Sequence, residues 1–201
     1  MNRSRVVALC AIGLFASLLW LGGESASAAW IRYASLASLG AVVLEAMYEH
    51  WLWAFVKVGS ARVPDLRGTW RGTLKTHWID PESGQPPPPK TCYFVINQSA
   101  SAIQSALLTD ESRSSSSIAT VSRDGSGAVL RYLYFNNPQI EFDHRSRAHN
   151  GAGVLHVDST TESLEGHYWT DRNSRGEILF TQRHRKRAAT YSEAKALKWT
   201  T

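Results

Sequence analysis

Two patterns of hydrophobicity divide the chain. Before about residue 58 the apolar residues come in long runs; from Val63 they alternate with polar ones. The first run, Val6 to Leu21, carries no charge. As a helix it spans roughly 24 Å, a little less than the ~30 Å hydrocarbon core of a bilayer. A second apolar run extends from about Tyr33 to Val58, joined to the first by the short, small-residue stretch Gly22 to Ala29. This layout predicts two transmembrane helices, about 6–22 and 33–58, forming a hairpin. Arg3 and Arg5 precede it and Lys57, Arg62 and Arg67 follow it, so the positive-inside rule places both termini in the cytoplasm, with Arg32 opposing. The same N-terminus also fits a secretory signal: a basic start, an apolar stretch and Ala26-Ser27-Ala28. The second apolar run argues for the hairpin, because cleavage would leave that run unexplained.

After Val63 the period becomes two. Leu66, Gly68, Trp70, Gly72 and Leu74 alternate with Arg67, Thr69, Arg71, Thr73 and Lys75, which predicts a strand with one apolar face. Further strands are predicted at 91–98, 103–109, 115–122, 129–135, 140–147, 153–157, 164–170 and 178–182. Turn residues such as Asp124-Gly125-Ser126-Gly127, Asn136-Asn137-Pro138 and Asn173-Ser174-Arg175-Gly176 separate several of them. Pro86 to Pro89 cannot pair in a sheet and mark an exposed connection. No helical period interrupts the series. The expected fold is a membrane α-helical hairpin (1–62) followed by an all-β domain (63–183). That domain reads as an antiparallel barrel of about eight strands, lipocalin-like in style, large enough for one small ligand.

Residues 184–201 form a tail. Arg183-His-Arg-Lys-Arg187 is basic and Ser192 to Trp199 fits a short helix. A solvated tail and a polybasic contact with anionic lipid both fit. The net charge of +5 over 201 residues adds nothing more specific. Two cysteines, Cys10 in an apolar run and Cys92 in a strand, do not suggest a disulfide-stapled secreted domain.

Within the second apolar run, Glu45 and Glu49 lie four apart and share a helical face. Carboxylates at membrane depth usually face other helices or water. Glu45 is the deeper, which points to a contact between helices or protomers; Glu49 and His50 fit the headgroup level. Gly13 and Ser17 in the first run form a small-xxx-small pair suited to close helix packing.

Catalytic signatures are absent: the sequence holds no Gly-rich phosphate loop, no HExxH and no Cys-x-x-Cys. His144, His149 and His156 read as surface or turn histidines, and the serine run Ser114 to Ser117 lacks a nucleophile motif. The reading is therefore a non-enzyme with no cofactor and no metal. Binding is better supported. Tyr132, Tyr134 and Asn136 share one strand face, as do Tyr168, Thr170 and Arg172 on another. Tyrosines can stack on bases and arginine can pair with phosphate. Arg71 is a further candidate.

The ordered motifs Pro64-Asp-Leu-Arg-Gly-Thr-Trp-Arg-Gly72, Leu130-x-Tyr-x-Tyr-x-Asn-x-Pro138, His149-x-Gly151 and Gly166-His-Tyr-Trp-Thr-Asp-Arg-x-x-x-Gly176 lie behind a helical hairpin. Together they resemble the two-transmembrane β-barrel effectors of bacterial CBASS antiphage systems. The resemblance implies a partner CD-NTase cyclase that makes a cyclic dinucleotide and a barrel that binds it. It further implies ligand-driven self-oligomerisation and disruption of the inner membrane bilayer, killing the infected cell. No DNA partner is expected. The alternative is an exported lipocalin-like carrier of a small apolar ligand, with residues 1–28 removed.

Overall fold

The computed structural model describes residues 3–22, 26–55, 63–81, 83–125, 127–142 and 147–199; within the first two helices, side chains are described at 10–18, 20, 21 and from 36. The chain separates into two compact units, 1–62 and 63–201.

The first unit contains helices α1 (Arg3–Gly22, 20 residues) and α2 (Ala26–His50, 25 residues), then a 3-10 turn at Leu52–Ala54. The second helix thus starts earlier than the expected residue 33 and ends at His50, short of the expected residue 58; residues 56–62 lie outside the described set. Small residues permit the contact between the two helices. Ala37 and Ala41 are buried, and a Cβ on Gly40 would lie 2.7 Å from Leu14 Cδ2. Gly13 has nothing within 4 Å of its notional Cβ, and the Ser17 hydroxyl donates back to the Gly13 carbonyl at 2.8 Å. Gly13 and Ser17 therefore lie away from the contact, on an exposed face. Glu45 is exposed and Glu49 half-buried. Among the described residues, no helix is both long and apolar enough to cross a membrane.

The second unit is a closed antiparallel barrel. Its strands are β1 (Gly68–Thr76), β2 (Lys90–Gln98), β3 (Ile103–Leu108), β4 (Ser112–Asp124), β5 (Gly127–Pro138), β6 (His149–Val157), β7 (Leu164–Thr170) and β8 (Arg175–His184). Each strand pairs with the next, and β8 closes on β1. Among the described residues of the expected strand at 140–147 no strand forms: Ile140–Phe142 make a 3-10 turn and Ile140 is 96% exposed, while 143–146, including His144, lie outside the described residues. An alternating apolar face needs a wall to cover it, and the barrel is already closed without this segment.

One end of the barrel is filled. Trp70, Ile96, Leu130, Leu155, Leu164 and Phe180 are fully buried there, capped by Leu66. The Trp70 indole N–H donates to the Leu66 carbonyl at 2.9 Å, and the Leu66 N–H donates to Gln98 Oε1 at 2.8 Å. Cys92 joins this core as a free thiol whose burial pushes its pKa up to about 12. Around the outside, the lead-in segment is clamped by charge. Arg67 Nη2 donates to Asp65 Oδ2 at 2.7 Å, while Arg183 Nη2 donates to the Arg67 carbonyl at 2.8 Å and lies 5.1 Å from the Trp70 ring centre.

Burial pushes the Asp65 carboxyl upward, but the Arg67 guanidinium and backbone N–H, with Arg183 beyond, hold it below its ordinary 3.8. A lowered folded-state pKa contributes stability above the unfolded value and loses it as pH falls through the folded one. The barrel should therefore lose denaturant resistance as pH falls below the ordinary carboxylate value of 3.8. Asp65→Asn should flatten that part of the profile; an unchanged slope would show the clamp to be inert.

The C-terminal segment is not a solvated tail. Thr69 Oγ1 donates to the Lys186 carbonyl at 2.8 Å and accepts from the Ala188 N–H at 3.0 Å. Helix α3 (Tyr191–Lys195) is N-capped by Thr190, whose hydroxyl accepts from the Glu193 N–H, while Glu193 Oε2 accepts from the Ala189 N–H. Together these two bonds, the N-cap and the Glu193 side chain reaching back to the residue before it, let so short a helix form. It lays Tyr191 and Trp199 against Tyr93 on the outer wall of β2, with ring centres 5.4 and 5.6 Å away.

Candidate functional site

The other end of the barrel is open. Between strands β1 to β8 lies a cavity of about 1190 Å³, roofed in part by the Pro86 to Pro88 connection and by Trp78. Ligand pockets commonly occupy about 300–1,000 Å³, so a molecule of several rings fits.

Its floor is aromatic. The Phe94 ring centre lies 5.3 Å from that of Tyr132 and 5.3 Å from that of Phe180, and Ile178 completes the floor. Above it, the Tyr134 ring centre is 5.8 Å from Tyr132 and Tyr168 stands on β7. Glycines set where these rings go. Tyr132 pairs across the sheet with Gly153, and Tyr134 with Gly151. A Cβ on Gly153 would lie 2.4 Å from Tyr132 Cζ, and one on Gly151 would lie 2.4 Å from Tyr134 Cζ. Both rings therefore lie flat over bare backbone on β6, which keeps them along the wall and leaves the lumen open.

Burial pushes the Tyr132, Tyr134 and Tyr168 phenols above their ordinary range; for Tyr168 a hydrogen bond with Thr76 partly opposes this. The three remain neutral hydroxyls at physiological pH. The adjoining part of the wall, on β3 and β4, is lined by Ser105, Ser114 and Ser116. Ser114 Oγ donates to Asn136 Oδ1 at 2.8 Å, and Ser116 Oγ accepts from the Ser105 N–H at 2.8 Å. The buried Tyr132 hydroxyl and Ser105 Oγ have no hydrogen-bond partner among the described residues. Such orphaned groups are costly in a filled core and are expected where a polar ligand docks.

Charge is confined to the rim. Lys90 is engaged by Glu111. Arg172 Nη1 donates to the Arg147 carbonyl at 2.9 Å and lies 3.5 Å from His149 Nδ1. Among the described residues it meets no carboxylate, so its charge remains available to an anion. Thr170 holds the β7–β8 turn through Ser174 Oγ at 2.8 Å.

Six of the residues expected from sequence, Tyr132, Tyr134, Asn136, Tyr168, Thr170 and Arg172, thus line one cavity. Arg71 does not. Trp70 points into the core, so its neighbour must face out; Arg71 pairs with Tyr93 on the outer wall and donates to Gln182 Oε1 at 3.3 Å. Sequence reasoning missed Ser105, Ser114, Ser116, His149 and the proline connection. The period-2 spacing of Ser114 and Ser116 was the available signal, but it breaks where β4 bulges between Ser116 and Ile118. Among the described residues no group of three His, Cys, Asp or Glu could hold a metal ion.

A closed barrel with a plugged end, an aromatic floor, neutral hydroxyl walls and a cationic rim defines a small-ligand receptor. Residues 61–182 match the family described as Cap15, cyclic dinucleotide receptor domain. The chain belongs to that family, and so to the CBASS effectors. It is similar to the CD-NTase-associated protein 15 of Staphylococcus schleiferi, with 26% identity over 151 residues, covering 74% of this chain and 78% of the relative.

Proposed function

We propose that the barrel binds a cyclic dinucleotide at its open end through Tyr132, Tyr134, Asn136, Tyr168, Thr170 and Arg172. Binding then drives self-association of the N-terminal helices, which disrupts the inner membrane. The observation that carries the receptor step is the cavity itself: stacking surfaces on the floor and, at the rim, an arginine that meets no carboxylate among the described residues. Bases stack on aromatic rings, and a guanidinium pairs with phosphate oxygens. The protein catalyses nothing in this scheme and needs no cofactor; its ligand is supplied by a CD-NTase cyclase.

The bilayer step rests on the sequence runs Val6–Leu21 and 33–58 and on the apolar side chains that α2 exposes, including Leu36, Leu39, Val42 and Val43. Glu45, Gly13 and Ser17 are assigned to contacts between protomers, because Gly13 and Ser17 lie outside the α1–α2 contact and Glu45 is exposed, and Glu49 is assigned to the membrane surface at headgroup level.

Calorimetry of the full chain in detergent micelles against a panel of cyclic dinucleotides tests the receptor step. No heat from any member would overturn it. Alkaline carbonate extraction tests the anchor, which fails if the chain washes off membranes. Unchanged ligand-dependent assembly and toxicity in Glu45→Leu would remove that carboxylate from the oligomer contact. Arg172→Ala should weaken ligand binding about tenfold, the contribution of one charge-assisted hydrogen-bonding group, and should reduce the salt dependence of binding.

A further inference from the structure

The cavity's free hydrogen-bonding capacity is unevenly distributed. On the β7–β8 side the Thr170 hydroxyl is occupied by Ser174. On the β3–β5 side, the Tyr132 hydroxyl and Ser105 Oγ are buried without a partner. The Ser116 hydroxyl beside them accepts from the Ser105 N–H, which leaves its own proton to donate. Among the described residues no ionised side chain lines this deep part of the cavity; Arg172, which meets no carboxylate among them, lies at the rim, beyond Tyr134 and Asn136.

We infer that the barrel recognises the two halves of its ligand unequally: one nucleobase descends to the floor, stacks against Phe94 and Tyr132 and presents its polar edge to Ser105 and the Tyr132 hydroxyl. The phosphates and the second base stay at the rim beside Arg172 and His149. This inference rests on the receptor reading above. Three facts carry it. The floor groups are hydroxyls, which can donate and accept and so match a base edge, whereas a phosphate needs positive charge. The two partnerless hydroxyls come from β3 and β5, strands separated in the barrel by β4 alone. Below Tyr132 the lumen is filled by Leu130, Leu155 and Trp70, and an eight-stranded barrel is wide enough for one small guest at that level. Ser105 is thereby a base-reading residue and a determinant of which nucleotide binds.

Neither hydroxyl has a partner among the described residues, so Ser105→Ala and Tyr132→Phe should fold as the parent does. The full chain in detergent micelles is titrated with cyclic dinucleotides carrying two adenines, two guanines or two uracils, and with a mixed one. Each floor variant should change the affinity ratio between ligands of different base by about tenfold. Arg172→Ala should weaken all of them by one common factor. In the NMR spectrum of a bound symmetric ligand, two sets of base resonances of equal intensity should be seen, one shifted upfield by the floor rings. Equal weakening of every ligand by the floor variants, no change at all, or a single set of base resonances would overturn the inference while leaving the receptor reading standing. Failure of the parent protein to bind any ligand would overturn both.

Discussion

Gly153→Val should abolish ligand binding, by about 100-fold or more. The bare backbone at Gly153 is where the Tyr132 ring rests; any Cβ there would lie 2.4 to 2.6 Å from Tyr132 Cζ, Oη and Cε1. The ring cannot retreat outward, since its wall is the β6 backbone itself. It is also flanked by Phe94 and Tyr134, with centres 5.3 and 5.8 Å away. The displaced ring therefore enters the lumen and raises the floor that a base would stack on. A 100-fold loss corresponds to about 2.8 kcal/mol of binding free energy. Overpacking should also destabilise the barrel by about 1–3 kcal/mol. Gly153→Ala should give a smaller loss, and adding Tyr132→Leu should restore the stability without restoring affinity. Full-strength binding by Gly153→Val in calorimetry would mean that Tyr132 does not form the floor.

Trp70→Ala should produce the largest loss of stability. Trp70 is wholly buried at the plugged end, donates to the Leu66 carbonyl and lies under the Arg183 guanidinium. Removing it forfeits transfer energy, leaves a cavity and orphans a buried carbonyl, for about 3–5 kcal/mol in all. That is a large share of the roughly 5–15 kcal/mol a domain possesses, and it corresponds to a fall in Tm of about 10 °C or more. Trp169→Ala provides the contrast. Trp169 also lies on a strand, but it faces outward and is 45% exposed, so its loss should shift the transition far less. Equal shifts for the two variants would contradict the plugged-end assignment.

What was legible in the sequence tracks what a strand must bury. At the plugged end both the period and the phase could be read: Trp70 and Leu164 face a dry core and are flanked by the polar residues Thr69, Arg71, Ser163 and Glu165. At the open end the inward wall is itself polar, and Ser114, Ser116, Asn136 and Thr170 interrupt the apolar alternation on which strand reading depends. The β4 start was accordingly placed at 115 when the strand begins at Ser112. The segment 140–147 alternated well enough to suggest a strand, yet Ile140–Phe142 turn instead, because the ladder from β5 passes directly to β6.

By itself, the order of residues determined the all-β character of the second unit, its boundary near Val63 and the phase of the Tyr132–Asn136 and Tyr168–Arg172 faces. Each of these follows from a two-residue period that a pleated strand imposes locally. Only the tertiary structure decided that the two faces line one lumen, that Arg71 lies outside it, and that Ser105 and the proline connection join the site. It also decided that the tail from Lys186 to Trp199 belongs to the barrel wall. Those facts depend on which strands become neighbours when the sheet closes, and closure couples residues as far apart as Thr69 and Ala188. No local period carries that information.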